Sequence, residues 1–361
     1  AASGIGAILS PHTLGAAAFL IAEYLKIPYG RVLLMATIPT LLYYFGILMM
    51  IEADAPRAAD ATATEGEAPP PLADVLRQGG HHLLSPLLVV AFLAAGYSAT
   101  RSALAASVGV IALSFLSRKD ALTPRRLRRA LVAAGASLVP VLTTTACAGI
   151  LVASLTLTGL GLKVAGLIVS LASGNTVGVI LLSAFAVSVL GLSVPVTASY
   201  ILAAVTIAPA LVQVGVPELA AHMFIFYYAV LSEVSPPTAL SPMAAATLCH
   251  GDPYGTVMAT LRYTLPAFLV PLLFTLRSDG SGLLLQGSWT SIAGVSLFAA
   301  GAIVASAAAA SGFLLRPLNH VARAFFAAVA LAYFFGSAVV SVAATILLVV
   351  SLARLSSLRS E

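Results

Sequence analysis

Leu231 to Leu240 reads LSEVSPPTAL, a polar knot with two adjacent prolines inside apolar sequence. On its N-terminal side Leu219 to Ser232 runs 14 residues without a charge, and on its C-terminal side Thr238 to His250 runs 13. A membrane-crossing helix needs roughly 20 residues, so neither arm can span alone. Pro236 and Pro237 have no N–H to donate and push the preceding residue out of helical geometry. The pattern therefore predicts two helical arms meeting at a non-helical tip, a re-entrant hairpin reaching partway into a bilayer. Backbone of that kind is tolerated at membrane depth only where it lines a cavity or binds something.

The same pattern occurs near the start of the chain. Ser10-Pro11-His12-Thr13 is followed by an apolar arm and Pro28-Tyr29-Gly30; Ser235-Pro236-Pro237-Thr238 is followed by an apolar arm and Pro253-Tyr254-Gly255. The distance from the serine to the proline of Pro-Tyr-Gly, Ser10 to Pro28 and Ser235 to Pro253, is 18 residues in both copies. Two short, broken hydrophobic segments at matching positions point to the binding site of a repeat-built secondary transporter. Whether the copies are inverted is left open by the sequence, although inversion is the usual arrangement. We expect the tips Ser10 to Thr13 and Ser235 to Thr238 to approach each other near the bilayer midplane. Glu233, two residues before the second tip, is expensive at that depth unless it faces water, a cation or a partner, or unless the arm tilts it to solvent.

Composition fixes the setting. Of 361 residues 60% are hydrophobic and 9% charged, and the mean hydropathy is +1.03, too little polar surface to cover a soluble fold. Uncharged runs such as Val32 to Ile51, Ala130 to Leu162, Val164 to Pro217, Gly280 to Leu315 and Ala324 to Ala353 supply about ten spans or half-spans. They are continuous and rich in Ala and Leu, where barrel strands would alternate. The expectation is an all-α polytopic membrane protein.

The net charge of +5 does not indicate nucleic acid, because six of the 18 basic residues, Arg118, Lys119, Arg125, Arg126, Arg128 and Arg129, fall in one stretch. That stretch reads as a cytoplasmic loop. Cys147 and Cys249 lie in apolar sequence and are expected as buried free thiols. No His-Glu-x-x-His, Gly-x-Ser-x-Gly or paired-Asp motif accompanies His222, Glu233, His250 and Asp252, so an intramembrane enzyme is disfavoured. A purely structural membrane subunit is a further alternative.

Along the chain we divide residues 1-51 (end of a first repeat), 52-82 (a hydrophilic connector with Pro69-Pro70-Pro71), 83-129 (two spans and the basic loop), 130-276 (a second repeat) and 277-361 (peripheral helices). Thr123-Pro124 is a candidate cap and first-turn pair. Thr143-Thr144-Thr145 and Thr156 to Gly161 place hydroxyls and glycines at membrane depth, for a site or simply for back-bonding and close packing. Arg262 is either a polar-pathway residue or, the favoured reading, a membrane-edge residue that snorkels outward. Gly191 to Thr197, GLSVPVT, breaks the longest uncharged run. As a plain kink it needs no ligand. As a site, its freed carbonyls at Gly191 and the hydroxyls of Ser193 and Thr197 suit a hard monovalent cation such as Na⁺.

The stretches ACAGI (146–150), TLTGLGL (156–162), GLSVPVTASY (191–200), LAAHMFIF (219–226) and LSEVSPPT (231–238), with GAAAFLIAE (15–23) before Ile27-Pro28-Tyr29, resemble the large membrane subunit of TRAP transporters, specifically the fused permeases of the TAXI type. The resemblance covers nearly the whole chain. It implies an elevator-type, sodium-driven uptake system in the cell inner membrane that receives an organic acid from a periplasmic binding protein. It also implies a partner in a small membrane subunit or an N-terminal part of the same chain, the present sequence being read as a C-terminal fragment with a truncated first hairpin. Na⁺ is the coupling ion and no other cofactor is implied. On matching positions the substrate and cation site falls on Ser10, Pro11 and Thr13, on Ser193, Pro195 and Thr197, and on Ser235, Pro236, Pro237 and Thr238; Glu233 joins the substrate site by its setting beside the tip, and Ser193 and Thr197 are read as the Na⁺ ligands. The family usually carries proline where His12 stands, glycine at Ser193 and threonine at Val196. A related symporter that needs no binding protein is the nearest alternative.

Overall fold

A computed structural model describes residues 6, 9, 14–59, 71, 80, 84–115, 121–192, 194–236 and 239–357. The chain is almost entirely helical. In order come α1 (Gly15–Tyr24), α2 (Tyr29–Ala59), α3 (Leu84–Ala94), α4 (Ala99–Ser114), α5 (Pro124–Leu157), α6 (Leu160–Leu171), α7 (Thr176–Gly191), α8 (Val196–Thr206), α9 (Ala208–Gln213) and α10 (Glu218–Leu231). A 3₁₀ turn, Ser232–Val234, separates α10 from α11 (Leu240–Cys249). After α12 (Pro253–Leu276) follow a second 3₁₀ turn (Gly280–Leu284), α13 (Trp289–Ser311), α14 (His320–Phe335) and α15 (Ala338–Ser357). The loop between α13 and α14 holds one antiparallel strand pair of two residues each, β1 (Phe313–Leu314) and β2 (Arg316–Pro317).

Among the described residues four helices, α2, α12, α13 and α15, are long and apolar enough to cross a membrane. The pair α5 and α6 makes a fifth candidate, bent by 74°. Gly159, in the left-handed region at φ 64°, forms that bend. The hydroxyls noted nearby bond to their own helix, Thr143 to the Val139 carbonyl at 2.8 Å and Thr158 to that of Ser154 at 2.7 Å. Gly161 serves close packing, since a Cβ there would lie 2.9 Å from the Val205 carbonyl oxygen on α8. Back-bonding and small-residue packing thus account for Thr143, Thr158 and Gly161.

The two sequence copies have the same local build. α1 and α11 are ten residues long, and a residue at φ 52° lies just beyond each, Lys26 after Leu25 in the first copy and His250 directly in the second. Pro28-Tyr29-Gly30 and Pro253-Tyr254-Gly255 then open the long helices α2 and α12. These two helices run antiparallel: Asp54 near the end of α2 meets Arg262 and Tyr263 of α12, Gly46 meets Pro266, and Arg31 at the start of α2 reaches Gln286 beyond the end of α12 at 2.9 Å. The copies therefore point in opposite directions, which the sequence left open.

Arg262 is not alone in the packed structure. Its guanidinium is paired with Asp54 across the helix interface, and the Tyr263 hydroxyl donates to the same carboxylate at 2.8 Å. Side-chain exposures of 35% and 22% place the pair between surface and core. Asp54→Asn is expected to cost about 2 kcal/mol, between an exposed and a buried ion pair, with Tyr263→Phe costing about half of that. The check is the apparent melting midpoint of detergent-purified protein.

Three further expectations are corrected. Cys147 and Cys249 are exposed rather than buried. Thr123 makes no side-chain cap, although Pro124 does occupy the first turn and the Thr123 carbonyl accepts from Leu127 N at 2.8 Å. The helices after residue 277 are not all peripheral. α13 buries Val295, Ala299, Ala302, Ile303 and Ala305 against α2 and α12. Its run of Ala, Gly and Ser reads as featureless, but small side chains are what let helices approach in a membrane. α3 and α4, by contrast, pack on each other and touch the remainder only slightly.

Candidate functional site

Two helices flank the second tip, whose Pro237 and Thr238 lie outside the described residues. α10 is buried from Ala220 to Leu231, and its last turn tightens into the Ser232–Val234 3₁₀ turn, where the two prolines prevent further helix. Ser235 is extended, with φ −89° and ψ 141°, and its hydroxyl donates to the Leu231 carbonyl at 2.9 Å. Pro236 is exposed at the tip. Ala239, buried and in the left-handed region at φ 38°, starts the second arm, a strained conformation for a residue with a Cβ. Asp252 then caps α12 by accepting from Gly255 N.

The broken helix meets this tip directly. α7 ends at Gly191 and α8 begins at Val196, with Pro195 at the cap position. A Cβ on Gly191 would stand 2.4 Å from both Cβ and Oγ of Ser232. Only a glycine lets the end of α7 touch the 3₁₀ turn of the hairpin. The carbonyls released by the break are partly engaged, because Ser199 Oγ donates to those of Val194 and Pro195, both at 3.2 Å. The Pro195 carbonyl also accepts from Ser199 N at 3.0 Å, which uses both of its lone pairs, whereas that of Val194 retains one for a cation. Thr197 stands half-buried at the start of α8, and Glu233 is half-buried on the 3₁₀ turn. Among the described residues neither side chain has a hydrogen-bond or salt-bridge partner.

Of the residues expected to form the site, Ser235, Pro236, Glu233, Thr197, Pro195 and Gly191 are placed on one hairpin tip and the break beside it. Ser10, Pro11, His12, Thr13, Ser193, Pro237 and Thr238 lie outside the described residues. The nearest described residue to the first tip is Leu9, fully buried, whose carbonyl accepts from Thr40 Oγ1 of α2 at 2.6 Å.

Sequence reasoning missed a second polar cluster. Tyr200 of α8 and His222 of α10 place the phenol oxygen and Nδ1 2.7 Å apart in a buried setting. Tyr24, the last residue of α1, lies against both, with ring centroids 6.2 Å from Tyr200 and 5.8 Å from His222. The cluster joins the arm of the first copy to the broken helix and hairpin arm of the second. No motif announces it, since the three residues are far apart in sequence. Of the other ionisable residues near the tip, Asp252 is a helix cap and His250 an exposed helix end. Among the described residues no three His, Cys, Asp or Glu side chains gather as a metal site.

No curated protein and no solved structure matches the chain. A family model does, the DctM component of the tripartite ATP-independent periplasmic transporters, over residues 1–278. The match ends between α12 and α13, so it takes in both arms, the antiparallel α2 and α12, the broken helix and the hairpin. The chain belongs to this DctM family, whose members are TRAP-type secondary transport proteins for organic acids and not enzymes.

Proposed function

We propose that the chain forms the translocation pathway of a sodium-driven uptake system of the TAXI type in the cell inner membrane. The cargo is a small organic acid handed over by a periplasmic binding protein and carried by an elevator motion. The observation that supports this most is the junction of Gly191 and Ser232, where a broken helix and a hairpin tip meet inside a body built of two inverted copies. Unwound backbone at such a junction, beside hydroxyls and one carboxylate, fits a monovalent cation, and its binding orders the tip for substrate.

Within this reading Thr197, Ser193 and freed backbone of Gly191 hold Na⁺. Glu233 supplies a negative charge near it. Ser235, Pro236, Pro237 and Thr238 present substrate groups from one side, and Ser10, Pro11 and Thr13 from the other. Cation and substrate then bind with positive coupling, and each raises the affinity for the other by the same factor.

The test is uptake and substrate affinity in proteoliposomes holding the full-length permease and its binding protein, with Na⁺ replaced by K⁺ or choline at constant ionic strength. We expect loss of at least about tenfold in affinity without Na⁺, the size of an ordinary coupling free energy. Thr197→Val is expected to raise the Na⁺ concentration needed. Equal affinity in all three salts removes sodium from the mechanism. Full uptake without the binding protein removes that partner.

A further inference from the structure

The Tyr24, Tyr200 and His222 cluster has a place in the fold that core packing alone does not call for. Tyr200 is fully buried and His222 is 5% exposed, with the phenol oxygen and Nδ1 partnered at 2.7 Å. A buried phenol and a buried imidazole are both costly when left unpaired, so this bond holds α8 and α10 in one register. Tyr24, 40% exposed at the end of α1, lies against the pair from the first copy.

The bond stands one turn from the broken helix. Thr197 precedes Tyr200 by three residues, which puts both on one flank of α8. Between them Ser199, fully buried, holds the break from within: its Oγ donates to the Val194 carbonyl at 3.2 Å and its N to that of Pro195 at 3.0 Å. On the other side of the break, a Cβ on Gly191 would stand 3.6 Å from the Ala229 carbonyl oxygen. Ala229 and His222 are seven residues apart, two turns of α10. The break is therefore fastened to α10 on both sides, by close contact at Gly191 and by a hydrogen bond at Tyr200. Close contact limits only distance, whereas a hydrogen bond also has direction. The bond thus sets the rotation of α8 about its own axis, and with it the setting of Thr197.

We propose that Tyr200 and His222 are positioning residues for the cation site, braced by Tyr24; the inference rests on the reading that Thr197 holds Na⁺. Neither side chain touches the ion. Their bond keeps the first turn of α8 in place, so that the Thr197 hydroxyl and the Val194 carbonyl are arranged before the ion arrives. Without it α8 is free to turn, and Na⁺ binding has to supply the ordering that the bond now gives.

The experiment is uptake by proteoliposomes holding the full-length permease and its binding protein, measured against Na⁺ at constant ionic strength. Tyr200→Phe is expected to raise the Na⁺ concentration for half-maximal uptake about tenfold, the weight of one buried hydrogen bond, and to leave the maximal rate largely as it is. His222→Leu should do the same, and the double variant no more than either, since both remove one bond. His222→Gln keeps a partner for the phenol and should restore most of the affinity. Half-saturating Na⁺ unchanged in Tyr200→Phe, whatever the maximal rate does, makes the pair merely structural and overturns the proposal. So do single effects that add in the double variant. If His222→Leu fails to insert, Tyr200→Phe, which removes a single oxygen, decides alone. Hydrogen exchange gives a check free of the cation: in Tyr200→Phe without Na⁺ the amides of Ser199 to Ala203 should exchange about tenfold faster, and unchanged exchange refutes the hold on α8. Wild-type uptake indifferent to Na⁺ is a different failure. It removes the sodium reading and the cation role with it, while faster exchange still shows the pair holding α8.

Discussion

Gly191→Ala is expected to abolish uptake and to lower the apparent melting midpoint of the purified permease by several degrees. The added Cβ falls 2.4 Å from Cβ and Oγ of Ser232, inside any real contact distance. Neither partner has room to retreat. Ser232 is 1% exposed and its hydroxyl is held to the Ala229 carbonyl at 2.6 Å, while Gly191 is the last residue of α7. Overpacking of this kind costs about 1–3 kcal/mol, and here it falls on the junction between broken helix and hairpin tip. The companion variant is Ser232→Gly, which removes the atoms that clash. Gly191→Ala with Ser232→Gly should recover at least half of the lost stability. If the two effects simply add, the atoms do not meet as described.

The second large effect is expected at Arg277. Its side chain is 3% exposed, and its guanidinium is fully engaged. Nε and Nη2 donate to the two carboxylate oxygens of Asp279 at 2.8 and 2.9 Å. Nη1 donates to the Tyr333 carbonyl and the Ser341 hydroxyl, both at 2.7 Å. The ring of Phe298 lies 5.3 Å from the guanidinium carbon. This one residue, at the last position but one of the family match, fastens the turn after α12 to the break between α14 and α15. Arg277→Leu leaves Asp279 without its partner and two buried acceptors unsatisfied, a loss of about 3–5 kcal/mol. Arg277→Lys keeps the charge and loses the fork, and should recover only part. Limited proteolysis between α13 and α15 together with the melting midpoint reads both. Unchanged proteolysis in Arg277→Leu contradicts the fastening role.

How much of this was legible in the sequence follows from the range of each signal. Pro236-Pro237, Gly191 and the matched Pro-Tyr-Gly segments act on their own backbone within a few residues, so the hairpin arms and the helix break could be placed to within about two residues. The direction of the copies could not be, because it depends on how α2 and α12 pack. The Tyr24, Tyr200 and His222 cluster stayed hidden for the same reason. Arg262 shows the limit from the other side. A lone arginine in an apolar helix looks like a membrane-edge residue until Asp54, some two hundred positions earlier, is placed beside it. The mistake over α13 has a different cause: hydropathy does not distinguish an alanine facing lipid from an alanine packed on a neighbour.

The Asp54 and Arg262 pair also has an electrical meaning. The two charges sum to zero where α2 crosses α12, so a displacement of this helix pair along the membrane normal does no work against the membrane potential at that point. An unbalanced charge would be coupled to it, by about 2.3 kcal/mol for a full crossing of 100 mV. Asp54→Asn leaves the arginine's charge unbalanced, and the dependence of uptake on membrane potential is expected to change in this variant relative to the wild type.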